Sequence, residues 1–218
     1  MKLITYKMTT DSGFAPNPFF GVLTLATCKP AIRRSPNIKK DNWISGWTSR
    51  TLCGDAVGQE RLVYLAKIDN IIPIAEYWKD YPQKRNNGKD DNSLESFGDN
   101  IYEPTTTGFI AHANVHHNPK NDPHEKQKKR DIGGKKVIIC KEFYYFGKDD
   151  SVVITNPSIN RPTGRGHRFS NIDDNFINEV RDLFINTLKN KGSIKKDDFF
   201  KQIKRVTNYN KPSTCCKK

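Results

Sequence analysis

Residues 14–35, Phe-Ala-Pro-Asn-Pro-Phe-Phe-Gly-Val-Leu-Thr-Leu-Ala-Thr-Cys-Lys-Pro-Ala-Ile-Arg-Arg-Ser, constrain the fold more than any other stretch. Pro16 and Pro18 fix their own φ, and Asn17-Pro18 favours a turn, so the chain enters this segment stiffly. Val22 to Ala26 is a short apolar run of the kind that forms a buried strand. That strand delivers Thr27, Cys28 and Lys29, followed at once by Pro30 and the pair Arg33-Arg34. A rigid aromatic approach ending in a cationic turn predicts a binding edge.

The rest of the chain is strands first and helices last. Residues 2–8 read as a first strand, with Leu3, Ile4, Thr5 and Tyr6 supplying β-branched and aromatic content. Residues 41–47 and 61–68 predict two more strands, and Pro73 opens a short helix. Residues 82–96 and 118–136 are polar and read as surface loops. The block 137–147 is strongly apolar and predicts a strand, with 152–155 as its hairpin partner across residues 148–150. Within it, alternation puts Phe143 and Tyr145 on one face and Tyr144 and Phe146 on the other. Residues 157–171 form a Gly/Pro/Arg loop. From Asp173 the spacing turns helical, with Phe176, Ile177, Val180, Leu183, Phe184 and Leu188 on one stripe and Gly192 as a stop. A second helix is expected over 195–206, then a polar tail. This order predicts an α+β class with an antiparallel, barrel-like sheet as one domain over 1–170, followed by a helical C-terminal extension over 171–218.

Charge narrows the partners. The chain has 37 Lys and Arg against 24 Asp and Glu, a net charge of +13, which favours polyanions such as nucleotides or nucleic acid. Its five cysteines form no zinc spacing and fit reduced thiols in a cytoplasm. No apolar run approaches bilayer length, so neither a membrane partner nor an anchor is expected. There is no P-loop, no Gly-x-Gly-x-x-Gly after a strand and no Gly-x-Ser-x-Gly elbow, and no cofactor is implied.

Four groups of residues could carry chemistry. Lys29 and Arg33, beside the strand end at Thr27, can clamp phosphate, and Arg33 is expected to do so. Cys28, just before Lys29, reads as a small core residue more than as a nucleophile. Gly98-Asp99-Asn100 is turn chemistry, but Asp99 and Asn100 could also read a base edge with Tyr102 stacking on its face. His112 and His116 would share a helical face at i, i+4, yet no further ligand is near in sequence. A His116-His117 pair touching substrate or moving a proton fits better than a metal. Finally, Arg161, Arg165, His167 and Arg168 lie among Gly164 and Gly166, a loop suited either to phosphate or to plain solvation.

Several of these motifs carry a family resemblance. Phe14-Ala-Pro-Asn-Pro-Phe, Thr24-Leu-Ala-Thr-Cys-Lys-Pro with Ile32-Arg33, Trp43-Ile-x-Gly46, Gly98-Asp-Asn-Ile-Tyr102, His116-His117-Asn118 and Phe143-Tyr-Tyr-Phe-Gly147 resemble the second type of nucleotide modification associated domain. The likeness covers about residues 1–150 in the family's order. It implies a bacterial or phage setting linked by genomic context to DNA base modification. A second likeness concerns fold: Trp43-Ile-x-Gly followed by Leu62-Val-Tyr-Leu-Ala-Lys-Ile is similar to the barrel of PUA-like modules.

Beside non-specific nucleic-acid binding by charge alone, two more specific functions remain open on these grounds. One is a domain that recognises a modified base or nucleotide in a DNA-modification or phage-conflict system. Phe14, Asn17, Thr27, Lys29, Arg33, Asn100, Tyr102, His116 and Arg165 would then line or hold the ligand. The other is an enzyme on the same ligand class, with His117 as acid-base group, Asp99 as its orienter, and Cys28 or a water as nucleophile.

Overall fold

The structure is a computed structural model that describes residues 1–89, 93–114, 123–156, 159 and 161–190. In chain order the main elements are β1 (Lys2–Lys7), β2 (Leu23–Leu25), α1 (Pro30–Arg33), β3 (Trp43–Trp47), α2 (Arg50–Cys53), β4 (Leu62–Lys67), β5 (Asn70–Pro73) and α3 (Ile74–Asp80). They continue with β6 (Tyr102–Thr105), β7 (Gly108–Ala111), α4 (Pro123–Ile132), β8 (Lys136–Cys140), β9 (Phe143–Tyr145), β10 (His167–Asn171) and α5 (Asp174–Asn190). Short 3-10 turns at Pro82–Lys84 and Leu94–Phe97 flank the polar loop after α3.

The described residues form three open sheets. Five strands run in the order β10-β1-β3-β4-β9, three in the order β2-β8-β5, and β6 and β7 form a hairpin. Every neighbouring pair is antiparallel except β1 and β3, which run parallel with Leu3 opposite Trp43 and Lys7 opposite Trp47. Parallel neighbours need a crossover, and the chain makes it through β2 and α1, outside the large sheet. Gly46 sits where Tyr64 and Met8 close in, since a Cβ there would lie 2.4 Å from both Met8 Sδ and a Tyr64 ring carbon.

The two larger sheets share one core. Strand alternation turns Leu23, Leu25, Ile138 and Cys140 toward the five-stranded sheet, into a cluster with Ile4, Tyr6, Ile44 and Tyr64. The opposite face of the small sheet, with Val137, Ile139 and Ile72, packs in a second cluster with Tyr77, Ile101, Tyr102 and Phe14. α5 covers the other side of the large sheet. Its N-terminus is capped by the Asp173 carboxylate, which accepts from Phe176 N at 2.9 Å. Phe176, Ile177, Val180 and Phe184 are buried, and Phe184 meets Tyr144 and Phe146 edge-on at 5.7 and 5.4 Å. Burying each such side chain stabilises the fold by about 1.5–3 kcal/mol.

Several expectations need correction. The described strands close no barrel, because β10 and β9 are free outer strands of a sheet that stays open. The sheet is antiparallel-rich but not wholly antiparallel. The block 137–147 is two strands: the exposed Lys141-Glu142 pair carries the chain from the small sheet to the large one. Val152 does not return on that block; it bridges Leu62 instead. Residues 118–136 contain α4 rather than a loop alone, and 157–171 contain β10. The expected stop at Gly192, the helix over 195–206 and the tail lie outside the described residues, as do His116 and His117.

Candidate functional site

Asn17, Asp99 and Asn100 do come together, in a closed polar knot. Both Asp99 carboxylate oxygens accept from hydroxyls, Oδ2 from Thr24 at 2.7 Å and Oδ1 from Tyr77 at 2.6 Å. The Lys84 ammonium donates to the Asn17 backbone carbonyl, Asn17 Oδ1, the Val22 carbonyl and Thr24 Oγ1 at 2.7–3.1 Å. Asn17 Nδ2 donates to the Phe97 carbonyl, and Asn100 Nδ2 closes the end of α3 by donating to the Tyr77 and Tyr81 carbonyls. Gly98 is a steric necessity, since a Cβ would lie 2.3 Å from the Lys84 carbonyl oxygen. Lys84 is fully buried and Asp99 is 1% exposed. Burial pushes the Lys84 ammonium down to about 8 and the Asp99 carboxyl up, and each is partly restrained by the other's charge. Both Asp99 oxygens are taken up inside the knot, whereas Asn100 is 1% exposed and its Oδ1 is buried without a hydrogen-bond partner among the described residues. The knot ties the 14–24 segment to the 97–100 turn across about 75 residues of chain.

Arg33 is the centre of a second knot. Its Nε, Nη1 and Nη2 donate to the carbonyls of Cys28, Lys136 and Asp131. Asp131 in turn accepts from Cys28 N at 2.8 Å and from the Tyr102 hydroxyl at 3.0 Å. Gly134 leaves room for the guanidinium, because a Cβ there would lie 2.4 Å from Arg33 Cζ. The phosphate contact expected of Arg33 is therefore replaced by a structural one: the side chain is wholly buried and each of its three nitrogens donates to a backbone carbonyl. Tyr102 is buried in the same knot, and Phe14 and Thr27 are also sealed at 2% and 0% exposure. Cys28, 6% exposed, points inward beside Arg130.

Cys28 and Lys29 both adopt left-handed backbone, with φ of 53° and 43°. Two consecutive non-glycine residues there are uncommon and cost on the order of 1–2 kcal/mol each. The turn sends Cys28 into the core and Lys29 out of it, with the Lys29 ammonium over the Tyr6 ring, 5.0 Å from its centroid.

Lys29 is one wall of a cleft of about 760 Å³. The parallel pairing of β1 and β3 builds this cleft, because it brings the exits of both strands to one end of the sheet. Met8 N donates to the Trp47 carbonyl at 2.8 Å, and Ser49 Oγ donates to the Met8 carbonyl at 2.7 Å, so the two exits are laced together. Ser49 also caps α2, accepting from Leu52 N. β10 runs antiparallel to β1, so its start, with His167 opposite Tyr6, arrives at the same end behind the 164–166 turn. Tyr6, Lys7, Thr9, Ser49, Arg50 and Thr51 line one side; Lys29, Pro30, Ala31 and Ile32, with the 164–167 turn, line the rest.

The charges of this cleft are unequal. Lys7 is committed, 2.5 Å from the buried Glu60 carboxylate. Burial would raise the Glu60 carboxyl, but the Lys7 ammonium and backbone N–H donors, including that of Gly58, outweigh it and hold the group low. Lys29, Arg50 and Arg165 have no carboxylate partner among the described residues, and no Asp or Glu lines the cleft. Burial, helped by Arg168, pushes His167 below its usual value, disfavouring its charged form. The cleft thus offers three positive charges to an anion.

Of the residues singled out from sequence, Lys29, Arg165 and His167 meet here. Cys28 and Asp99 do not line the cleft, and they sit in separate buried networks. Tyr6, Arg50 and Ser49 were not foreseen, since only the parallel pairing brings them to Lys29. His112 lies elsewhere: its ring stacks on Trp78 at 4.9 Å and its Nε2 lies 2.7 Å from Glu103 Oε2. No group of three His, Cys, Asp or Glu among the described residues could hold a metal. No helix among them is long and apolar enough to cross a membrane.

Comparison with known proteins agrees with the motif resemblance and extends it. The family model described as nucleotide modification associated domain 2 matches residues 1–202, and so takes in β10 and α5 as well as the earlier motifs. No curated protein and no solved structure matches the chain.

Proposed function

This chain belongs to the nucleotide modification associated domain 2 family, and on that premise we propose that the cleft at the exits of β1 and β3 binds a nucleotide, free or within nucleic acid, that carries a modified base. The observation that carries this reading is the convergence of Lys29, Arg50 and Arg165 on a cleft without carboxylates. Arginine pairs bidentately with phosphate, and lysine adds a point charge. The volume lies within the range of about 300–1,000 Å³ typical of small-molecule sites. Pro30, Ala31 and Ile32 give an apolar wall beside the cations, suited to a base and an added alkyl group. The setting that accords with the family is a DNA-modification or phage-conflict system, with the protein as reader of the modification.

Calorimetric titration of inorganic phosphate, dCMP and 5-methyl-dCMP into the protein at low salt tests this. The nucleotides should bind at least about tenfold more tightly than phosphate, a difference of about 1.4 kcal/mol. The methylated nucleotide should bind tightest. Equal affinity for all three would reduce the cleft to a plain anion site and refute the reading.

A further inference from the structure

We infer that the ligand is single-stranded nucleic acid, with one nucleotide in the cleft and the flanking strand running along β10 over Phe169. The inference rests on the cleft being a nucleotide site and goes on to name the form in which the nucleotide arrives. Among the described residues β10 is an outer strand of the five-stranded sheet, paired only with β1. Its first residue, His167, lines the cleft, and the His167 ring meets the Phe169 ring edge-on at 5.3 Å. An aromatic ring therefore begins where the cleft ends, and Phe169 is 38% exposed. A mononucleotide filling the cleft would have no use for it.

The charges follow the same line. Between Arg161 and Ile172 the sequence has no Asp or Glu. Arg165 is exposed on the lip of the cleft. The Arg168 guanidinium lies beside the glycines of that lip, close enough that a Cβ on Gly164 or Gly166 would come within 3.8–3.9 Å of it. Among the described residues its only hydrogen bond is to the neighbouring His167 carbonyl. At the far end of β10 Lys2 donates to the uncharged Asn171 and has no carboxylate partner among the described residues. The strand from His167 to Asn171 spans roughly 13 Å at about 3.3 Å per residue. That is long enough for phosphates on either side of a base stacked on Phe169. Cations flanking an exposed aromatic form the platform that binds unpaired bases, and a duplex would keep its bases from both cleft and ring.

Fluorescence anisotropy with a labelled oligothymidylate of twelve nucleotides, and competition by thymidine monophosphate, tests the inference. The oligonucleotide should bind at least about a hundredfold more tightly than the monophosphate, and its affinity should fall steeply with salt. Phe169→Ala and Phe169→Leu should each weaken the oligonucleotide about tenfold and leave the monophosphate unchanged, with Phe169→Trp restoring wild-type binding. If the monophosphate binds and the oligonucleotide gains no more than about threefold, the inference fails while the cleft reading stands. A Phe169→Leu variant that binds like wild type overturns it too, as does equal affinity for the oligothymidylate annealed to oligoadenylate. If neither ligand binds, both readings fall together.

Discussion

Replacing Asp99 by Asn separates a structural carboxylate from a catalytic one. The wild-type carboxylate accepts two buried hydroxyl hydrogen bonds and compensates the charge of the fully buried Lys84. Asparagine keeps the shape but turns one acceptor into a donor facing a donor, and it removes the countercharge. Removing one member of a buried charge pair costs about 3–5 kcal/mol. Against a total stability of roughly 5–15 kcal/mol, the loss would bring the protein near its folding threshold. Urea unfolding followed by the fluorescence of Trp43, Trp47 and Trp78 measures it, and with m of about 1–3 kcal/mol/M the midpoint should fall by at least about 1 M. A double-mutant cycle with Lys84→Met assigns the cause. The two single losses should exceed the double loss by about 2 kcal/mol, because the second substitution removes the charge that the first left unpaired. An Asp99→Asn variant that loses less than about 1 kcal/mol, or a cycle additive within about 0.5 kcal/mol, refutes the reasoning.

Two other predictions follow from the same buried groups. Lys84 is held at about 8 in the folded protein against 10.5 in the free chain, so below pH 8 both states carry the proton, and between 8 and 10.5 only the unfolded chain keeps it. Its contribution to stability therefore rises with pH through that window, and the stability gap between wild type and Lys84→Met should widen by about 2 kcal/mol from roughly pH 7.5 to 9.5, at about 1.36 kcal/mol per pH unit; a gap that stays constant contradicts the assignment. Arg33→Lys keeps the charge but loses the fork that reaches three carbonyls, and should cost about 2–4 kcal/mol in chemical unfolding for its unpaired buried acceptors. An exposed phosphate-binding arginine would instead leave the unfolding midpoint unmoved.

What could be read from the sequence follows the reach of each signal. β1, β2, β3, β4 and α5 all carry apolar patterns over consecutive residues, and each lies where its pattern places it. β10, His-Arg-Phe-Ser-Asn, is exposed on much of its length and so lacks the alternation that marks a strand. Pro104 and the threonines around it mask the β6–β7 hairpin in the same way. Lys84 sits in a run of polar residues, and nothing local separates it from its exposed neighbours; its acceptors are on residues 60–67 positions away. Arg33 looked available because Asp131, which closes its knot, is 98 residues distant. The cleft itself depends on β1 and β3 running parallel, a pairing written in no single stretch. Lys29 and Arg165 were legible as cations at turns, but their meeting was not.

The most direct test of the account is the affinity of the cleft for dCMP in wild type and in Arg50→Ala/Arg165→Ala. Both side chains are exposed and unpaired among the described residues, so the double variant should keep its unfolding midpoint. Its nucleotide affinity should fall by about a hundredfold, the loss of two charge-assisted contacts worth about 1.5 kcal/mol each. Unchanged affinity in a folded double variant would contradict the central claim and place the nucleotide elsewhere on the molecule.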